Sequence, residues 1–437
     1  MARGHTVTRP SNSALGTTLE LTIDSLGARG DGVARLGNRR VFVPLALPGE
    51  FVRVAIEDET AEGIRARLIE QLSTAPDRVE PPCRHFGVCG GCALQHLPEQ
   101  TYAAFKTARL VDALADRGLH DIAMAPLIRI PPNSRRRVRL AVEVHRGVVH
   151  LGFRAARGRA IVDLTSCPVT APAIVAALDP LRTALARLLR NGAELELAIT
   201  ETDNGLDLVL MGSDAGSAEH RTRLAALARD LKLARLSIST SANRPAETIV
   251  VLAESVIRFS GVPVTLPPDG FVQPSAAGEA AIVAALIEAA KGAKRAADLF
   301  CGLGALGLGL AEAGIRVEAF DSAAESIAAL DAAVRRADQA GRLTATRRDL
   351  NRMPLDEAAL RKFDLVVFDP PRPGAAAQAA KLAASRVPCI VAVSCNPATF
   401  ARDARALVDG GYKLERLIPL DQFLWSPHIE IIAVFRR

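Results

Sequence analysis

The chain has 437 residues, 49% of them hydrophobic, and a formal net charge of +6. That length exceeds one compact core and predicts roughly two to four domains. The polar opening, Met1–Ser13, excludes the usual secretory signal, and no run approaches the about 18 apolar residues of a membrane span, so the sequence reads as soluble and cytoplasmic.

Residues 1–14 read as disordered. In 15–74, Thr18–Asp24 alternates apolar and polar residues, and turn residues separate it from Val33–Leu36, Arg40–Pro44, Glu50–Ile56 and Gly63–Leu72. Five short strands so spaced predict a small β-barrel of the OB type, an architecture that often binds nucleic acid. Residues 75–268 are expected to form a central α+β domain. It opens with a Pro-, Gly- and Cys-rich loop, Pro76–Cys92, and a helical run, Leu97–Leu119, within a segment 97–125 expected to pack on the catalytic domain. Strand-like runs follow at Val138–Leu151, Leu195–Thr200, Leu206–Met211 and Leu236–Ser239, among Ala- and Leu-rich helices. From 269 to 437 helices and strands alternate, which predicts an α/β domain with a parallel sheet and ligands at the carboxyl ends of its strands.

Charge is concentrated. Between Arg129 and Arg159 nine arginines stand against one acid, Glu143. A charge run usually marks a solvated face, but this surplus should repel itself unless a polyanion is near. Arg135, Arg136, Arg137, Arg139 and Arg154 are therefore candidates for RNA contact.

Seven cysteines are too few and too uneven for a disulfide framework and suit a reducing compartment. Cys83-x5-Cys89-x2-Cys92, with Cys167 far downstream, makes a candidate four-thiolate site. Zinc and a [4Fe–4S] cluster both accept such a set, and the three-plus-one layout leans toward the cluster. Cys389 reads as strand core.

Three further constellations carry chemistry. In Ala297-Asp298-Leu299-Phe300-Cys301-Gly302-Leu303-Gly304 an apolar strand enters a glycine-rich turn that opens a helix. Asp321, ending the next strand, is placed to accept from ribose hydroxyls. The same glycines fit a dinucleotide spacing, so adenosylmethionine and a nicotinamide cofactor stay equally open on pattern. Phe368-Asp369-Pro370-Pro371-Arg372 puts an acid and a rigid bend at a strand end, suited to gripping a planar base. In Val393-Ser394-Cys395-Asn396-Pro397, Cys395 leaves a buried strand at the ligand edge. A lone cysteine is more often a small buried hydrophobe, but polar neighbours and position mark Cys395 as a nucleophile. A thiolate attacking carbon 6 of a uracil activates carbon 5 toward a methyl donor, and Glu430, before the last strand, is the candidate base for the carbon-5 proton.

Together with Phe271-Val272-Gln273 and His428-Ile429-Glu430, these motifs closely resemble the uridine-5 RNA methyltransferase family, and are most similar to its bacterial 23S ribosomal RNA members of the RumA (RlmD) type. The resemblance spans nearly the whole chain. It implies a class I Rossmann-like methyltransferase domain behind an N-terminal TRAM barrel, with S-adenosylmethionine as cofactor. It implies Cys395 and Glu430 as catalytic residues, and a [4Fe–4S] cluster on Cys83, Cys89, Cys92 and Cys167. Gln273, Phe300, Ala305, Asp321, Asp349 and Asp369 correspond to ligand-site positions. The partner implied is RNA, foremost 23S ribosomal RNA, with the uridine flipped into the pocket; no protein partner is implied. Asp321 replaces a more usual glutamate, and Ser275 a frequent asparagine. A transfer RNA uridine-5 methyltransferase and a non-catalytic iron–sulfur RNA-binding protein are the alternative readings.

Overall fold

Phe51–Thr60 and Gly63–Ser73 alternate buried and open residues, the signature of strands with one covered face. They pair antiparallel within a six-stranded sheet. A computed structural model describes residues 15–213, 216–241, 244–338 and 341–437; residues 1–14, expected to be disordered, lie outside them. The described chain divides into two compact units. The smaller holds the residues up to Pro82 together with Cys92–Phe105 and Trp425–Pro427.

Its sheet runs in the order Thr18–Thr22, Phe51–Thr60, Gly63–Ser73, Arg39–Val43, Gly32–Leu36, Ser25–Leu26. Leu21, Val41, Val52, Val54 and Ile64 fill the core beneath it. The sixth strand, Ser25–Leu26, was not expected. Two residues are too few to show a period, and it exists only through its pairing with Gly32–Val33.

The described part of the larger unit contains two large sheets and a two-stranded one, Val256–Phe259 with Val262–Thr265. A seven-stranded sheet from Arg137–His145 to Glu247–Val251 is covered by the helices Pro172–Leu188 and Ala218–Asp230. Leu140, Leu178, Leu181, Leu197 and Leu224 knit sheet and helices together.

An eight-stranded sheet forms the second layer. Its parallel part runs Leu343–Arg347, Arg316–Asp321, Arg295–Leu299, Leu365–Phe368, Cys389–Ser394. Leu365–Phe368 and Cys389–Ser394 are buried along their whole length, as expected of strands covered on both faces. Glu430–Arg436 then inserts antiparallel, followed by Lys413–Asp421 and the short Ile128–Arg129. One edge therefore gathers the ends of seven strands, at Arg129, Leu299, Asp321, Arg347, Phe368, Ser394 and Asp421, and the beginning of the eighth, Glu430. Leu110, Leu114 and Leu119 pack into the same core as Leu299, Phe368 and Ile390.

Several strands escape the sequence pattern, among them two of this sheet. Leu343–Arg347 is a sheet edge with mostly open side chains, and Lys413–Asp421 carries Glu415, Arg416 and a bulge between Leu414 and Arg416. Edge and bulged strands lose the alternation that would announce them. Among the described residues no helix is long and apolar enough to cross a membrane.

Candidate active site

The glycine turn is built from left-handed backbone. Phe300, Gly302 and Gly304 have φ of 62°, 53° and 84°. A side chain at Gly304 would put its Cβ 2.5 Å from Leu330 Cδ1, whereas nothing lies within 4 Å of the corresponding position at Gly302. Only glycine fits the first position, and the second leaves an open face toward the sheet edge. Phe300 holds a conformation that costs a non-glycine residue about 1–2 kcal/mol, strain of the sort found at ligand sites. Ala305 opens the helix Ala305–Glu312 behind the turn.

Three acids stand at this end of the sheet. Asp321 Oδ2 accepts from Gly302 N at 2.9 Å and its Oδ1 from Ala323 N at 2.8 Å, which ties the turn to the following helix. Asp349 accepts from Asn351 N and Arg352 N at 3.1 and 3.3 Å, capping a turn just past Leu343–Arg347. Asp298, not singled out from the sequence, is wholly buried. Its Oδ2 accepts from Gly307 N at 2.8 Å, while Oδ1 has no partner among the described residues. Burial pushes this carboxyl up to about 8, and the charges of Asp369 and Asp321 add to the rise. A buried, unanswered acceptor oxygen suits a ligand that brings a hydrogen-bond donor, such as an amino group, better than a pyrophosphate.

Cys395 follows the buried strand Cys389–Ser394 and precedes the helix Pro397–Asp409. Asn396 caps that helix, its Oδ1 accepting from Ala398 N at 3.1 Å, and Pro397 occupies the first turn. The half-buried thiol thus stands at the positive end of a helix, which favours its anion. Burial, Glu430 and Asp369 raise its pKa, and the Arg372 guanidinium opposes them. Asn396 Nδ2 and Thr399 Oγ1 each donate to the Arg372 carbonyl at 3.1 Å, fastening the Asp-Pro-Pro-Arg bend to the cysteine turn. Arg372 Nη2 lies 3.3 Å from His428 Nε2. Burial, then Arg372, lowers His428 to about 4, so the ring is neutral near pH 7.

Glu430 is 3% exposed and begins its strand beside Cys395, because Ser394 pairs with Ile431 across the ladder. A chain of amides joins it to Asp369. Gln273 Nε2 donates to Asp369 Oδ2 at 2.9 Å, Gln422 Nε2 donates to Gln273 Oε1 at 3.0 Å, and Gln422 Nε2 also donates to Glu430 Oε2 at 2.7 Å. Enclosure raises Asp369 to about 7; burial and the Asp369 charge push Glu430 well above the carboxylate range. The two titrate as a pair that resists double ionisation. Gln422 was missed from the sequence. Its signal was the polar pair Asp421–Gln422 that follows the apolar run Leu417–Leu420.

The arginine segment departs from its expected role. Arg136 is buried, paired with Glu279 at 2.6 Å, and donates from Nε to the Gln273 carbonyl at 3.0 Å. That removes Arg136 from the RNA-contact expectation and makes it the support of Gln273. Arg137 and Arg139 both pair with Asp269, the former at 2.7 Å. Arg135 Nε donates to the Arg137 carbonyl at 3.1 Å, and exposed Arg154 donates to the Arg159 carbonyl at 2.9 Å. The neutralising acids lie more than 100 residues downstream, where no local charge count finds them.

Cys83, Cys89 and Cys167 are half-buried in the larger unit; Cys92 belongs to the smaller. Burial raises the Cys89 thiol, and the charges of Cys167 and Cys83 add to the rise, so these three stand within electrostatic reach. Among the described residues no three His, Cys, Asp or Glu side chains converge as a metal site. The donor set suits a thiolate-bound metal in kind, not in the convergence shown. The smaller unit presents a separate cleft of about 560 Å³, lined by Arg29, Arg35, Arg40, Arg65 and Phe42 among others. The Arg40 guanidinium lies 5.5 Å over the Phe42 ring.

Residues 264–437 match the family model described as tRNA (Uracil-5-)-methyltransferase, and residues 12–69 match that of the TRAM domain. A Brucella suis protein described as an uncharacterized RNA methyltransferase is 43% identical over 420 residues, covering 96% of this chain and 98% of the relative. The 23S rRNA (uracil(1939)-C(5))-methyltransferase RlmD of Shewanella woodyi is 31% identical over 435 residues, covering 97% of each. In fold the chain is similar to the Pyrococcus abyssi tRNA (uracil-54, C5)-methyltransferase, crystallised with S-adenosyl-L-homocysteine. The TM-score is 0.76 at 23% identity, covering 95% of this chain and 99% of the other.

Proposed function

The chain belongs to the uridine-5 RNA methyltransferase family, and from that premise we propose that it methylates carbon 5 of a uridine in 23S ribosomal RNA, in the cytoplasm, through a covalent intermediate on Cys395. The observation that carries this is the meeting of Cys395, Asp369 and Glu430 at one sheet edge, with Gln273 and Gln422 linking the two carboxylates. S-adenosylmethionine, when bound, would supply an electrophilic methyl group and keep the electrons of the broken C–S bond on its sulfur as a neutral thioether; Phe300, Ala305, Asp321 and Asp349, with Asp298, would hold it.

The Cys395 thiolate bonds to carbon 6, and the C5=C6 electron pair moves toward carbon 4 and its oxygen, leaving an enolate. Carbon 5 then takes the methyl group. Glu430 removes the carbon-5 proton, the electrons restore C5=C6, and the S–C6 bond breaks to return the thiolate. A carboxylate whose proton affinity is raised by burial is suited to that last step at neutral pH. Gln273 and Asp369 offer a donor and an acceptor to the polar edge of the base, and Arg372 steadies the negative charge at Cys395.

Cys83, Cys89 and Cys167, with Cys92 from the sequence spacing, are proposed to hold a [4Fe–4S] cluster that takes no part in methyl transfer. Arg135, Arg137, Arg139 and Arg154 and the arginine cleft on the smaller unit are proposed to bear on RNA phosphates and bases. The test is mass-spectrometric mapping of 5-methyluridine in ribosomal and transfer RNA from a strain lacking the gene. Loss at one 23S position is the expected result. Loss confined to transfer RNA would move the substrate, and an unchanged map would overturn the function.

A further inference from the structure

We propose that Lys106 is a positioning residue for the reaction: its ammonium staples the Asp421–His428 segment at both ends and so fixes Gln422 and Glu430 at the catalytic edge. Lys106 and Asp421 side chains are both fully buried and meet at 2.7 Å. The same Nζ donates to the Phe423 carbonyl at 3.1 Å and to the His428 carbonyl. The three hydrogens of an ammonium thus find three oxygens, all within one eight-residue stretch. Gln422 adjoins one of these anchors and Glu430 lies two residues beyond another, and the Gln422–Glu430 hydrogen bond closes the arrangement.

A buried ion pair contributes little net stability compared with apolar side chains of similar size, and its better attested use is to specify one geometry. Lys106 is placed for that use. Tyr102, Lys106, Leu110 and Leu114 are all buried on the helix Glu99–Ala115, spaced by four residues, so a lysine stands where its stripe is otherwise apolar or aromatic.

The groups facing the ammonium are Asp421, Arg129 from the neighbouring strand, Arg109 on its own helix, and His428. Burial lowers Lys106 to about 8, Asp421 opposes the shift, and Arg109 and Arg129 add to it. Above that pH the neutral amine has two hydrogens for three acceptors, and one anchor is dropped. The step to suffer is the one Glu430 performs, a role that rests on Glu430 being the base.

The experiment uses full-length enzyme, radiolabelled S-adenosylmethionine and an unmodified transcript that the wild-type enzyme methylates. The methyl-transfer burst and the breakdown of the covalent RNA adduct, seen on denaturing gels, are followed separately. Lys106→Met should keep its burst within about threefold of wild type while breakdown slows about tenfold or more, so methylated adduct accumulates; Lys106→Arg should restore breakdown. Breakdown at the wild-type rate, or burst and breakdown falling together, overturns the proposal.

If Lys106→Met fails to fold, the pH profile decides. Wild-type breakdown should decline above pH about 8, and Lys106→Arg should not; a wild-type rate flat to about pH 9.5, well past the loss of that proton, overturns it. Glu430→Gln runs in parallel. Adduct trapped by Glu430→Gln but not by Lys106→Met defeats Lys106 alone, whereas no trapping by Glu430→Gln defeats the base assignment and the staple with it.

Discussion

At the scale of single residues, one thiol among seven is proposed to carry the chemistry, and its burial and neighbouring carboxylates work against its ionisation. Burial and two carboxylates raise the Cys395 pKa, and the Arg372 guanidinium opposes them. The thiolate is therefore a minor species at neutral pH, and its fraction grows about tenfold per pH unit below the pKa. Single-turnover adduct formation should accordingly rise between pH 6.5 and 8 or so, measured by rapid quench. Cys395→Ala should show neither adduct nor methylation while calorimetry still detects cofactor binding; residual methylation would dismiss the nucleophile. The place of Cys395 at a strand end was legible in the sequence because polar residues follow a buried strand there. Gln422, Lys106 and Asp298 were not, since a polar side chain buried against distant partners looks locally like any other. The spacing of Lys106 with Tyr102, Leu110 and Leu114 is the one trace it left.

Among the elements, the glycine turn is the least forgiving. Gly304→Ala combines a φ of 84° with a Cβ 2.5 Å from Leu330. The backbone alone costs about 1–2 kcal/mol, and the clash adds to it. The expected result is a lower Tm by calorimetry together with cofactor affinity weakened about tenfold or more.

The arginine segment fails differently. Arg136→Ala leaves Glu279 buried without its partner, a loss of about 3–5 kcal/mol, measurable by urea unfolding. Adding Glu279→Ala should recover part of it, and no recovery would deny the pair its role. Alternating helices and strands after residue 269 made the parallel sheet readable. The Lys413–Asp421 strand was obscured by its bulge and charges, and Arg136 was misread because Glu279 meets it only in the folded chain.

For the whole molecule, RNA has two candidate surfaces, each described on its own unit. In the smaller, Arg40 over Phe42 offers both charge and a stacking plane. Arg40→Ala should weaken RNA binding with little change in cofactor affinity. If it contacts a phosphate, the slope of log K against log salt becomes shallower by about 0.7 for a single strand. An unchanged slope in titrations at several salt concentrations would take Arg40 off the phosphate path.

The reversed strand Glu430–Arg436 has a consequence in time. Gln273, Cys395, Gln422 and Glu430 come together only when that strand slides between Cys389–Ser394 and Lys413–Asp421. A growing polypeptide displays its thiol well before it owns the carboxylate that resolves the adduct. Without that strand the thiol lacks the base that frees it from the RNA, so release of the adduct, not its formation, waits on the pairing of Glu430–Arg436.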